Sequence, residues 1–332
     1  MVILGIESTA HTIGVGIVEE SEPGRCRILA NERDMLTPEE GGIHPREAAH
    51  HHAEVGPDLV RRALETAGVE AKELAGIAYS QGPGLGPCLR VGATMARALS
   101  LRHNKPLLGT NHCVAHLEIG RGLTDATDPL LMYASGANTQ VIAHMMGRYR
   151  VFGETLDIGI GNGLDKFARE NGLPFPGGPK IEQEAAKPGA DVLHPLPYSV
   201  KGMDFSFSGL AIAAQRLVAD GVPFPEVCYS IQETAFAALV EVTERALAHT
   251  HKDEVVLGGG VACNSRLQAM AKEMAEARGC SFHCPPRPVL VDNGAMIAWQ
   301  GLLQLQADVV TMLPNSGVRP YERTDMVEVA WR

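Results

Sequence analysis

Two imidazoles stand four residues apart in Asn111-His112-Cys113-Val114-Ala115-His116, directly after the apolar run Pro106-Leu107-Leu108-Gly109. On a helix, positions i and i+4 share a face, so His112 and His116 have the spacing to grip one metal ion. Zinc proteases use that spacing with Glu directly after the first His, as general base. Here Cys113 holds that place and cannot take over the role. The hydrolytic reading loses its base while metal binding keeps its ligands. The chain has 13 histidines, and the same spacing also suits a pair that is only hydrogen-bonded, so the motif alone leaves both readings open.

Glycine-rich turns carry a second kind of chemistry. In Ser135-Gly136-Ala137-Asn138-Thr139 an apolar run ends in small residues, which let backbone N–H groups approach an anion closely. Ser8-Thr9-Ala10-His11 is a hydroxyl-rich counterpart near the amino terminus. A third turn, Gly258-Gly259-Gly260-Val261-Ala262-Cys263-Asn264, leads straight into a helical pattern. A strand–glycine turn–helix junction of that kind points a positive dipole and free N–H groups at a phosphate or a base. None of the three is a Walker A motif or a clean GxGxxG, and glycines also mark ordinary turns. Further polar candidates are Asp157, Asp165 with Lys166, Gly177-Gly178-Pro179 with Glu182, and Asp292 at a helix entrance. An acid at a helix entrance is most simply an N-cap, and Asp165 equally suits a first-turn acid.

The elements that must position these residues come as one unit used twice. The first opens with strand 2–8, a turn at 9–12 and strand 13–18, then a strand over 26–35 and a helix over 45–67. Strand 76–80, a loop over 81–90, helix 92–102 and strand 106–110 follow. The second opens the same way, with strand 130–134, a turn at 135–139 and a return through 140–145. Helical patterns cover 164–170, 180–186, 209–219 and 226–249. Strand 254–258, helix 264–278, strand 281–284 and helix 294–307 close the chain. Strands alternating with helices indicate an α/β protein, and the repeated opening indicates two related lobes, 1–125 and 126–332, the second with a helical insertion at about 160–250. The cleft between two such lobes is the default ligand site.

Composition limits the function classes. At 332 residues, the chain exceeds one ordinary domain of ~100–200 residues. No apolar run approaches the ~20 residues of a membrane span, and the first seven residues reach Glu7 without a basic segment, unlike a signal peptide. Seven scattered cysteines without CxxC spacing suit a reducing cytoplasm. A net charge of −10 argues against a free-standing polyanion binder, so contact with nucleic acid needs a local basic patch or a basic partner.

Together the motifs resemble one family along essentially the whole chain. They are His112-x-x-x-His116, Tyr133-Ala134-Ser135-Gly136-Ala137-Asn138-Thr139, Gly153-Glu-Thr-Leu-Asp157, Asp165-Lys166, Phe175-Pro-Gly-Gly-Pro179, Phe205-Ser-Phe-Ser-Gly209, Gly258-Gly-Gly-Val-Ala-Cys-Asn264 and Asp292-Asn-Gly-Ala-Met-Ile-Ala298. The set is similar to the catalytic subunit of tRNA threonylcarbamoyladenosine synthesis, the TsaD/KEOPS family once called O-sialoglycoprotein endopeptidase. Gly41-Gly-Ile-His-Pro-Arg-Glu47, Gly84-Leu-Gly-Pro-Cys-Leu-Arg90 and the ending Arg319-Pro-Tyr-Glu-Arg-Thr-Asp325…Trp331-Arg332 resemble its archaeal and eukaryotic branch.

The resemblance implies two ribonuclease-H-like lobes of the actin/Hsp70/hexokinase superfamily with an interlobe nucleotide cleft. It implies that His112, His116, Tyr133 and Asp292 hold one iron or zinc ion, a mixed N/O donor set. Family substrate positions fall on Tyr133, Ala134, Ser135, Gly136, Ala137, Asp165, Gly178, Glu182 and Asn264, and Gly259 is expected beside the adenosine of an adenine nucleotide. One departure is Ala137, where the family usually has a second glycine. A positive φ there would strain the alanine; otherwise its methyl only narrows the pocket, which is the favoured reading.

The implied reaction is transfer of threonylcarbamoyl from threonylcarbamoyl-AMP to the adenosine beside the anticodon of tRNAs reading ANN codons. No side chain is assigned as acid or base. Implied partners are tRNA and the KEOPS subunits: a small dimer-forming subunit on the first lobe, a kinase-like ATPase, either separate or fused C-terminal to this chain, and a further small subunit held through the kinase. The apolar half of helix 45–67 (Ala48, Ala49, Ala53, Val55, Leu59, Val60, Ala63 and Leu64) is wider than the ~100° stripe a surface helix needs, and is expected to offer the small subunit an edge. Gly56-Pro57 is expected to kink that helix. Readings from other classes are a nucleotide-binding scaffold or ATPase on the same fold and a metalloprotease, the latter lacking its Glu.

Overall fold

The computed structural model describes residues 1–37 and 42–332; Gly41 of the motif at 41–47 lies outside the described residues. The chain forms two compact units. One comprises Met1–Asp125, Met145–Arg150 and Pro286–Arg332; the other comprises Ala126–His144 and Val151–Pro285.

In chain order the first stretch runs β1 (Val2–Glu7), β2 (Thr12–Glu22), β3 (Arg25–Met35), α1 (Pro45–Ala67), β4 (Gly76–Gly82), α2 (Gly86–His103), β5 (Leu107–Asn111) and α3 (His112–Leu123). The second runs β6 (Leu130–Ala134), β7 (Thr139–Met145), β8 (Arg148–Glu154), α4 (Ile160–Glu170), α5 (Gly177–Ala185), β9 (Val200–Lys201), β10 (Asp204–Phe205), α6 (Ser208–Ala219), α7 (Phe224–Thr250), β11 (Glu254–Gly258), α8 (Ser265–Ala277) and β12 (Ser281–His283). Helices α9 (Arg287–Leu290) and α10 (Gly294–Gln306) follow. Among the described residues no helix is long and apolar enough to cross a membrane.

The duplication expected from the two openings extends through both sheets. The first is ordered β3-β2-β1-β4-β5 and the second β8-β7-β6-β11-β12. In each, the opening hairpin is antiparallel (β1 with β2, β6 with β7) and the later strands join in parallel, β4 on β1 and β11 on β6. Parallel strands need crossover helices, so each sheet acquires α-helical cover.

In the first unit side chains alternate across β1. Ile3 packs with Ala115, Ile119, Trp299 and Leu302 of α3 and α10, while Leu4 and Ile6 pack with Leu59, Ala63, Ala93 and Ala96 of α1 and α2. The carboxy-terminal segment belongs here because α10 lies directly on β1 and β2. A Cβ at Gly16 would stand 2.1 Å from the Ala295 nitrogen, and one at Gly5 2.2 Å from that of Ala298. The linear division at 125/126 therefore marks the first crossing between units, and residues 286–332 return to the first. That return depends on glycines whose packing partners are nearly 300 residues away.

Local differences are small. Helix α2 starts at Gly86, inside the segment expected to be a loop, because Pro87 fits a first helical turn. Helix α1 runs through Pro57 as one element, and its buried stripe is Ala48, His52, Gly56, Leu59, Val60 and Ala63. Of the expected apolar half, Ala53 is exposed and Ala49, Val55 and Leu64 are half-buried. The buried face is thus an ordinary stripe that includes a histidine.

Candidate metal centre and ligand turns

Asn111 is both the last residue of β5 and the cap of α3; its Oδ1 accepts the N–H groups of Cys113 at 3.0 Å and Val114 at 3.2 Å. With no loop between strand and helix, His112 occupies the first helical position and His116 lies one turn on. Their rings meet edge to face, centroids 4.9 Å apart and planes at 83°. Asp292 closes the group. Its Oδ1 lies 3.4 Å from His112 Nε2 and 3.5 Å from His116 Nε2, and the three donor atoms all fall within 4.8 Å of one another.

The first unit supplies all three residues, and both histidines are buried. Donors held ~2.0–2.2 Å from a tetrahedral ion sit about 3.4 Å from one another, so two imidazole nitrogens and a carboxylate oxygen at these spacings fit a borderline metal such as zinc or iron(II). Tyr133, the expected fourth ligand, lies at the end of β6 in the other unit, buried opposite Gly258 and Gln140 of the flanking strands.

Charges reinforce the arrangement. Burial disfavours an imidazolium at His112, yet Glu7 and Asp292 outweigh it and raise that histidine to about 9. Burial, with His112 alongside, pushes His116 the other way. Partial burial works against the charge of the Asp292 carboxyl, but the two histidines hold it well below the usual carboxylate range. Burial raises the Cys113 thiol to about 12, so the residue in the protease's base position stays protonated.

Glu7, fully buried at the end of β1, stands behind His112 with its Oε2 3.0 Å from Nδ1. Sequence reasoning passed over it, because nothing local marks an acid that ends a buried strand except its mismatch with the apolar run. Asp292 is not the helix cap that its position suggests. Asn293 caps α10, its Oδ1 accepting the Met296 N–H at 3.1 Å.

The expected ligand positions of the second unit lie along a chain of contacts. Ser135 and Asn138 close the turn after β6: the Ser135 hydroxyl donates to the Asn138 carbonyl at 2.8 Å and accepts the Asn138 N–H at 3.2 Å. The start of α4 abuts this turn. Gly161 N–H donates to the Ser135 carbonyl at 3.1 Å, and Asn162 N–H to that of Gly136 at 3.0 Å. Ala137 is exposed and is not among the described residues with positive φ, so its methyl adds bulk without backbone strain.

Gly259 does need to be glycine. Its φ is +92°, and a Cβ there would stand 2.2 Å from the Ala134 carbonyl oxygen.

Three carboxylates cap helices. Asp157 accepts Phe207 N–H at 2.9 Å and Ser208 N–H at 3.0 Å at the entrance of α6, bonds that hold its carboxyl low against the effect of burial. Asp165, in α4, accepts Gly177 N–H at 2.7 Å and Gly178 N–H at 3.3 Å at the start of α5. Glu182 accepts Ser265 N–H at 2.8 Å at the start of α8. Asn264 caps that same helix through Arg266 and Leu267 N–H, and its own amide donates to Gln232 Oε1 at 2.9 Å. The first N–H groups of α8 are therefore engaged within the protein, contrary to the expectation that they point free at a ligand. The dipole of α8 and the backbone of the 260–263 turn remain as anion-favouring features.

The family model for TsaD, tRNA N6-adenosine threonylcarbamoyltransferase, matches residues 26–299. This chain belongs to the TsaD family. It is 57% identical over 332 residues to the tRNA N6-adenosine threonylcarbamoyltransferase of Thermococcus kodakarensis, covering all of both chains. It is 55% identical to a probable bifunctional tRNA threonylcarbamoyladenosine biosynthesis protein of Methanosarcina acetivorans, and there spans 59% of the relative's length.

Among solved structures, the activator of 2-hydroxyisocaproyl-CoA dehydratase from Clostridium difficile aligns over 93% of this chain and 97% of its own. The TM-score is 0.57 at 10% identity, a likeness of fold alone. This TsaD chain thus shares its duplicated α/β fold with the dehydratase activator.

Proposed function

We propose that this chain transfers threonylcarbamoyl from threonylcarbamoyl-AMP to N6 of the adenosine beside the anticodon in tRNAs that read ANN codons. End-to-end identity to a protein named for the tRNA transfer carries this reading. In the reaction N6 attacks the carbamoyl carbon, the bond from that carbon to the phosphate oxygen breaks, AMP leaves with the electron pair, and N6 gives up a proton. AMP is a good leaving group, so the protein's task is to orient donor and acceptor and to stabilise developing negative charge. That task requires no strong base, and Cys113, buried and protonated, offers none.

His112, His116 and Asp292 would hold the metal, iron or zinc; bound there, it supplies a Lewis acid toward the donor's polar groups. In the second unit, Tyr133 to Ala137, Asp165, Gly178, Glu182, Gly259 and Asn264 would form the nucleotide-binding turns, with Gly259 and Asn264 at the adenosine end. The contacts linking α4, α5 and α8 support that assignment, because they make these positions one rigid group.

We place the reaction in the cytoplasm, within a KEOPS-type assembly whose small dimer-forming subunit meets the first unit and whose kinase-like subunit brings in a further small one. The bifunctional name of the Methanosarcina relative supports a second activity working beside this one. With a net charge of −10, the chain alone should hold tRNA weakly and with strong salt dependence. The test is reconstitution: labelled threonylcarbamoyl should appear at the tRNA adenosine with the partners present. No incorporation in the complete assembly would refute the proposal.

A further inference from the structure

The strongest feature that the reaction leaves unexplained is a buried acid behind one histidine of the metal centre. Glu7 ends β1, a strand hydrogen-bonded on both sides, to β2 and to β4, so its backbone is fixed. Its carboxylate is fully buried. One oxygen, Oε1, accepts the Thr9 N–H at 2.7 Å and also the Thr9 hydroxyl. The other, Oε2, lies 3.0 Å from His112 Nδ1. The hydroxyl-rich turn after β1, which by its composition suggests an anion site, uses its threonine to steer this carboxylate.

We propose that Glu7 is a positioning residue for the metal centre and that Thr9 in turn orients Glu7. A neutral imidazole carries its proton on one nitrogen only. A carboxylate oxygen accepts, so the Nδ1 proton faces Glu7, and Nε2 is the nitrogen turned to Asp292 Oδ1 at 3.4 Å. The same bond fixes the plane of the ring, and the charge of the acid makes the imidazole a better donor. With Nδ1 committed to Glu7, Nε2 is the nitrogen left to hold a metal. The inference rests on the reading of His112, His116 and Asp292 as metal ligands.

The test is metal binding by the full chain, with zinc(II) in competition against a chromophoric chelator and cobalt(II) as a spectroscopic probe. Wild type should take up one equivalent. Glu7→Ala should bind about 10–100-fold more weakly, and Glu7→Gln, which keeps an acceptor but loses the charge, should be affected less. Thr9→Val should weaken binding and alter the cobalt(II) visible spectrum, while Thr9→Ser, which restores the hydroxyl, should return both to wild type. If Glu7→Ala fails to fold, the Thr9 pair reads the same linkage without touching the acid. Uptake by wild type with unchanged affinity and spectrum in Glu7→Gln and Thr9→Val overturns the role of Glu7 and leaves the metal centre standing. Failure of wild type to bind either ion overturns the metal reading itself, and the positioning role with it.

Discussion

Asp292 and Asn293 are neighbours with separate duties: the asparagine caps α10 through Met296 N–H at 3.1 Å, and the aspartate turns to His112 and His116. Because the cap is elsewhere, Asp292 is spared for the imidazoles.

Substitutions at these two positions should therefore separate. Asn293→Ala removes the cap and leaves the Asn293 amide's carbonyl partners, Val289 and Val291, without their donor. It should cost about 1–2 kcal/mol, read as a lower midpoint in urea unfolding. Asp292→Asn should leave that midpoint nearly in place and abolish stoichiometric metal in elemental analysis. A loss of metal in Asn293→Ala as complete as in Asp292→Asn would show that the two duties are not separate.

Gly259 is constrained twice, by its φ of +92° and by the Ala134 carbonyl 2.2 Å from any added Cβ. Gly259→Ala should destabilise the protein by on the order of 3 kcal/mol, combining strain with displacement of the end of β6. Affinity for an AMP analogue, measured by calorimetry on the folded variant, should fall as well. A Gly259→Ala protein with wild-type stability and affinity would contradict both the packing and the ligand assignment.

His52 lies fully buried in α1, with its Nε2 3.0 Å from the Ala10 carbonyl and its Nδ1 3.4 Å from that of His51, which in turn meets Asp34 at 2.8 Å. Burial holds it down at about 4, against the hydrogen bond to Ala10. The unfolded chain, near the ordinary 6.5, then binds more protons than the folded one between those values. The stabilising contribution is complete above about pH 6.5 and is lost as the pH falls toward 4, by on the order of 3 kcal/mol. Wild type minus His52→Asn, compared by unfolding across pH 4–7, should show that slope. Parallel curves would refute it.

Glu118 of α3 is a fully buried acid held by Arg332, Arg121 and Tyr149, with Arg332 Nε donating at 3.1 Å. Burial works against its charge, but the two arginines keep its carboxyl low. Arg332→Met leaves that charge with less compensation and should cost about 3 kcal/mol. The double change with Glu118→Gln should recover part of that loss. Additive losses in a double-mutant cycle would show that the pair is not coupled.

Much of this protein was legible from local pattern. The i, i+4 spacing puts His112 and His116 on one face because helical geometry is set within a single turn. The two openings, 2–18 and 130–145, show the duplication because apolar strand–turn–strand patterns survive in short windows. The linked motifs also sufficed to indicate the TsaD family.

Other features depend on partners that no window contains. Glu7 acquires its role from a histidine 105 residues away. Asp157, Asp165 and Glu182 each accept an N–H at a helix start 12 to 83 residues further along the chain. Gly5 and Gly16 read as unremarkable strand residues until α10 is laid against them. Backbone preference and hydrophobic period act over a few residues, so sequence alone reveals which elements form. Which N–H, imidazole or helix faces a given carboxylate is set by packing across the chain, and only the tertiary structure decides it.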